Sequence, residues 1–271
     1  MEKYWDSHSA NKFGTEKEPT SALFVGHGSP MNAIEENEFS RAWIELGKKL
    51  PQPKAILCIS AHWETLGTQV TAMDAPRTIH DFYGFPAKLY RQRYPASGSP
   101  QLAERIRQAL DPVLVEFDFQ WGLDHGTWSV LMRLFPSANI PVVQLSLNRT
   151  MPPTVHYQLG KSLRPLRDEG VLIIGSGNMV HNLGIMRWQD MAFDWAAEFD
   201  LILKRLIEVR DHEAIVNYQQ FGRAAQLAIP TNEHFLPLLY VLAVQDADEP
   251  ISFFAEKVTF GSISMRGVRI G

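Results

Sequence analysis

Short apolar runs that break off into glycine and histidine set the pattern of this chain. Ala22–Val25 is a run of core-type residues, followed by Gly26, His27, Gly28, Ser29 and Pro30, which is turn chemistry. Ala55–Ser60 has the same character and leads to His62. Val171–Ser176 runs out near Gly177 and reaches His181 within a turn. Near-continuous apolar runs of this kind predict parallel strands covered on both faces. Further strands are predicted at Gln69–Ala72, Val113–Phe117, Pro141–Ser146, Ile251–Phe254 and Ser262–Arg269.

Helical spacing fills the gaps. Phe39, Trp43, Leu46 and Leu50 predict a helix from near Glu36, ended by Pro51 and Pro53. Ser99 and Pro100 suit an N-cap and a first helical position, giving a helix to about Leu110. Helices are also predicted at Thr127–Phe135 and at Thr154–Arg167, the latter disturbed by Pro165. Phe193–Val209 shows a stripe of Trp195, Phe199, Ile202, Leu206 and Val209, and Thr231 is placed to cap a last helix over Asn232–Val244. Strands alternating with helices predict an α/β fold: a single domain, residues 20–271, with a mostly parallel central sheet flanked by helices on both faces. A polar tail, residues 1–19, precedes it, with His8 solvated. Two irregular stretches remain, Asp74–Gly98 and Trp121–Trp128; the longer, rich in aromatics, is of the kind that forms binding loops.

Composition narrows the classes. With 45% hydrophobic and 21% charged residues the chain can bury a large core. A net charge of −4 with no basic run argues against nucleic acid. No apolar run is long enough to span a membrane, and the N-terminus lacks the core of a signal peptide. Cys58, the single cysteine, sits in a predicted buried strand and reads as a small apolar residue. A reducing, cytoplasmic setting is therefore expected. No coiled-coil repeat is present, so a monomer or weak homodimer is expected.

The chemistry lies in the histidines. Of nine, His27, His62, His125, His181 and His234 fall in loops or at element ends, and strand C-termini converge in such sheets. Imidazoles suit borderline divalent metals such as Zn²⁺ and Fe²⁺. There is no cysteine pair and no HExxH, and the glycines around Gly177 lack the dinucleotide spacing. His80 either touches substrate or fixes its loop through Asp81, and Phe82, Tyr83 and Phe85 can stack on a ring. His156 and His212 read as structural. Asp124 either orients His125 or caps a turn. Glu233 is a ligand, a partner of His234, or a helix-end charge.

In order along the chain, GHGSP, SAHW, TIHDFYGFP, DHGTW, GSGNMVHN and TNEHFLPLLYVLA resemble class III extradiol ring-cleavage dioxygenases of the LigB type. The likeness is closest to the branch of small bacterial 4,5-DOPA extradiol dioxygenases. It runs from Ala22 to the C-terminus. The resemblance implies one divalent metal ion, Fe(II) for ring cleavage, with catechol and O₂ as partners; L-DOPA would be cleaved at the 4,5 position to the seco-DOPA semialdehyde. It also implies that His27, His62 and His234 are metal ligands and that His125 and His181 are an acid/base pair, His181 close enough to become a fourth ligand. Iron members of the wider family use two histidines and a glutamate; a third histidine at 234 also suits Zn(II). A class II chelatase inserting metal into a tetrapyrrole shares the HGS context but does not account for DHGTW. A metal-dependent hydrolase and a non-catalytic binding protein are the remaining readings.

Overall fold

The structure is a computed structural model that describes residues 18–271. The tail expected over residues 1–19, with its His8, lies outside them but for its last two residues. The strands are β1 (Ala22–Gly26), β2 (Ala55–Thr65), β3 (Thr68–Thr71), β4 (Val115–Asp118), β5 (Val142–Asn148), β6 (Val171–Gly177), β7 (Ile251–Phe254), β8 (Val258–Thr259), β9 (Ile263–Ser264) and β10 (Gly267–Ile270). Eight form one sheet in the order β4-β3-β5-β2-β6-β1-β10-β7, and β8 pairs with β9 in a separate ribbon. The middle of the sheet, β5-β2-β6-β1, is parallel. β10 runs antiparallel to both neighbours, and β3 runs antiparallel to β5. The α/β fold with a mostly parallel sheet is as expected from the alternating pattern.

The reason lies in alternate residues. Leu23 and Val25 pack in one apolar cluster and Ala22 and Phe24 in the other; Ile56 and Cys58 divide from Leu57 and Ile59 in the same way. A strand that buries both faces needs layers on both. One layer holds the helices Glu38–Lys49 and His125–Leu134, through Trp43 and Trp128. The other holds Pro153–Leu163, Asp194–Glu208 and Leu236–Ala243, the last buried throughout.

Several elements differ from expectation. β2 runs on to Thr65, so His62 lies inside the strand rather than past its end. Its pairing with β5 breaks register between Ile59 and Glu64, and His62 sits on that irregular stretch. Pro165 ends one helix and starts another, since it cannot supply the amide that a continuous helix needs. The buried stripe of Asp194–Glu208 is Ala196, Phe199, Leu203 and Ile207; Val209 is 73% exposed, because the helix has ended. The last helix starts at Leu236, leaving Thr231–Phe235 as a turn. The expected closing strand breaks into β9 and β10.

His156 is structural, as its pattern implied. Its Nε2 donates to the Asn148 carbonyl at 3.2 Å, so its Nδ1 accepts from the Tyr240 hydroxyl at 3.0 Å. Burial pushes its pKa down to about 4. The unfolded chain protonates this group near its ordinary value while the folded chain does not, so stability falls as pH drops from about 6.5 toward 4. His156→Gln keeps a donor and an acceptor but cannot titrate. Its melting temperature should therefore fall less than that of the wild type on going from neutral pH to about pH 5. Equal losses in the two proteins would rule the group out as an acid sensor.

Candidate metal centre and its cavity

The site stands where the parallel strands β1 and β6 end level with one another beside the longer β2. Register sets Ser176 beside Val25 on one side and Ser60 on the other. His27 follows β1, and its amide donates to the Gly177 carbonyl at 3.0 Å. Its ring Nδ1 lies 3.1 Å from the Ser176 hydroxyl, which itself donates to the Gly126 carbonyl at 2.6 Å. A hydroxyl has one proton, so Ser176 must accept from His27. The Nδ1 proton is thereby fixed, and the Nε2 lone pair faces the cavity.

His234 reaches the same point from the Thr231–Phe235 turn. Its Nδ1 donates to the Glu233 carboxylate at 3.0 Å, which again leaves Nε2 free. Burial alone would push the Glu233 carboxyl up; the hydrogen bond that His234 donates outweighs it and holds the pKa at about 2. The turn can approach because residue 177 is glycine: a Cβ there would stand 2.1 Å from the His234 carbonyl oxygen. That carbonyl accepts from the Asn178 amide at 2.9 Å. His62 completes the group, with Nε2 3.0 Å from Nε2 of His27.

The ring centroids of His27, His62 and His234 lie 4.9, 5.3 and 5.0 Å apart, a nearly equilateral triangle. One nitrogen from each lies within 4.8 Å of the others. Burial, reinforced by neighbouring imidazoles, presses the pKa of His27 and of His62 well below the ordinary value. Burial also lowers that of His234, against the pull of Glu233. Three neutral imidazoles with converging nitrogens, two of them anchored at the outer nitrogen by Ser176 and Glu233, are a donor set that fits a borderline divalent ion.

His125 is the first residue of its helix, not part of a loop. Its amide donates to one oxygen of Asp81 and its Nδ1 to the other, both at 2.9 Å. Asp124 does not orient the ring; it takes the capping role, the other of the two expected for it. It caps the helix through the Thr127 amide at 3.1 Å and is held by Ser60 and Gln144, each at 2.7 Å. The pairing of Asp81 with His125 was missed in the sequence because the two are brought together only in space. The signal was there, an acid beside a histidine in an aromatic loop, but the loop's destination was not. His181 stacks on His234 at 3.5 Å with planes 7° apart, and its nitrogen groups with Glu233 and His234 rather than with His27 and His62.

These groups floor a cavity of about 450 Å³. Phe82 and Phe85 wall it, and Tyr83, Leu183, Met186, Trp188 and Phe260 form its rim. His80 does not line it: its Nε2 meets the Gln92 carbonyl at 3.2 Å, and its ring lies against Tyr90 and Trp128. It ties the loop down, the second of its two expected roles, through Gln92 rather than Asp81 and away from the place at the substrate. A larger cavity of about 630 Å³ lies behind Glu233, but no histidine lines it, so the chemistry belongs to the smaller one.

Residues 19–270 match the family described as the catalytic LigB subunit of aromatic ring-opening dioxygenase. A protein of Escherichia coli K12 named 4,5-DOPA dioxygenase extradiol is 47% identical over 256 residues, covering 92% of this chain and 94% of that protein. A protein of Beta vulgaris with the same name is 43% identical over 232 residues, covering 83% of this chain and 87% of its own. A crystal structure of an uncharacterised E. coli K12 protein superimposes with a TM-score of 0.82 and 42% identity, covering 93% of this chain and 100% of that one.

Glu233 offers a direct check of the donor set. Glu233→Ala removes the acceptor that fixes the His234 tautomer without touching a donor nitrogen. Affinity for a divalent ion should fall roughly 10–100-fold, as for other partners of ligating imidazoles. Titration against a chelator of known affinity measures this, and unchanged affinity would remove Glu233 from the site.

Proposed function

The chain belongs to the LigB family of aromatic ring-opening dioxygenase catalytic subunits and is an extradiol ring-cleaving dioxygenase, and from that premise we propose that it opens catechols of the L-DOPA kind, splitting the 4,5 bond with O₂ to give the seco-DOPA semialdehyde. The observation that carries this reading is the convergence of three neutral imidazoles on one point, with the outer protons of His27 and His234 already engaged by Ser176 and Glu233. His27, His62 and His234 would hold the ion. Iron(II) is proposed for turnover, and zinc(II) also suits an all-imidazole set. A bound Fe(II) supplies the redox chemistry that dioxygen needs and makes catechol hydroxyls more acidic.

The remaining work falls to the protein. Asp81 holds the Nδ1 proton of His125, so Nε2 of His125 is free to accept a proton from a catechol hydroxyl and to return it later. His181, stacked on His234 and lining the cavity, is proposed as the second member of the acid/base pair. Phe82 and Phe85 bring apolar walls that pack on the ring and keep water out. A reducing, cytoplasmic setting suits Cys58, which is buried, accepts from the Thr127 hydroxyl and has its thiol pKa raised by burial. The relatives offer no support for a chelatase.

The test is oxygen uptake with L-DOPA after anaerobic loading with Fe(II). His125→Ala should lower turnover roughly 10²–10⁴-fold, the usual share of general acid/base catalysis, with metal content unchanged. Asp81→Asn can turn an amide N–H toward Nδ1 of His125 and reverse the tautomer. It should give a comparable loss with the metal retained, whereas Asp124→Asn should mainly lower the melting temperature. Near-normal turnover per bound iron in both His125→Ala and Asp81→Asn would sink the assignment.

A further inference from the structure

The cavity rim carries a concentration of exposed apolar side chains. Tyr83 is 92% exposed, Trp188 75% and Leu183 60%, and all three line the cavity. They come from two segments, the loop that follows Asp81 and the stretch from Leu183 to Trp188. The second segment is held by its backbone: the Arg187 amide donates to the Phe260 carbonyl at 2.9 Å, and Asn182 accepts from the Gly184 amide at 3.1 Å. Trp188 meets the Phe260 ring edge-on, with centroids 5.5 Å apart, and its remaining surface is open. Apart from the floor imidazoles, the one carboxylate or cationic side chain of the lining among the described residues is Asp81, whose oxygens both accept from His125.

A catechol with its oxygens at the floor presents its far carbons to this rim. We propose that the rim is a substituent subsite that selects catechols bearing an apolar tail, alkyl or aryl, on a carbon remote from the hydroxyls. The proposal rests on the ring-opening reading and makes the substrate class more specific. Burying a tail between Tyr83, Leu183 and Trp188 removes apolar surface from water on both partners. Each methylene covered should raise kcat/KM about threefold to fourfold.

The test is a series of catechol, 4-methyl-, 4-ethyl-, 4-propyl- and 4-butylcatechol, with L-DOPA alongside, on the Fe(II)-loaded enzyme. The expected result is a stepwise rise in kcat/KM carried by KM, with L-DOPA below 4-propylcatechol. Trp188→Ala should flatten the slope of the series. Leu114→Ala, at an exposed apolar residue away from the cavity, should keep it. Dissociation constants come from quenching of tryptophan fluorescence by the same series without oxygen, and part of that quenching should vanish in Trp188→Phe. A flat series, or L-DOPA ahead of the alkyl catechols, overturns the subsite and leaves the ring-opening reading standing. If no catechol is opened, that reading falls, and the dissociation constants alone decide the subsite: tightening with tail length supports it, and a flat series overturns it.

Discussion

Burying several imidazoles together without a counter-charge on each is possible only if they are neutral and their N–H groups find acceptors. That constraint governs the centre of this molecule. Ser176 meets it for His27, Glu233 for His234 and Asp81 for His125. Each partner belongs to a different element, so the end of β6, the last turn and the aromatic loop must all be in place before the floor of the cavity is defined. The strand register that sets Ser176 level with Val25 and Ser60 is thus part of the chemistry as well as of the fold.

Much of this was legible in the sequence. The runs Ala22–Val25 and Val171–Ser176 gave their strands because a two-sided buried strand must be apolar at nearly every position. The histidines announced a site because they follow such runs. What remained hidden depended on distance in space. Nothing local distinguishes Asp81 from Asp124 as the partner of His125, since one sits next to it in sequence and the other some forty residues before it. The break in β2 that carries His62 was invisible too, because a register shift is decided by the neighbouring strand. The stripe of Asp194–Glu208 was read one step out of phase, as its flanking Trp195, Ile202 and Leu206 are apolar but only half-buried.

The aromatic loop shows how an irregular segment can be rigid. The Trp128 indole donates to the Ile79 carbonyl at 2.7 Å and the Tyr94 hydroxyl to the Phe135 carbonyl at 2.9 Å. With His80 holding Gln92, these bonds fasten the loop on either side of Asp81. The loop therefore brings a carboxylate to the start of the His125 helix with little freedom, which is what a fixed tautomer requires.

The close approach at Gly177 has a consequence for how the protein is made. The proposed donor set spans His27 to His234, and the third imidazole docks only when its turn closes over the bare glycine at the end of β6. A ribosome that has delivered β1, β2 and β6 has supplied two donors and the surface that receives the third. The antiparallel end of the sheet, β10 against β1 with β7 beyond it, is still to come. The nascent chain thus passes most of its synthesis with an incomplete claw. On the proposed donor set, selective capture of a metal becomes an event of the finished, folded protein, separated in time from the emergence of the first two histidines.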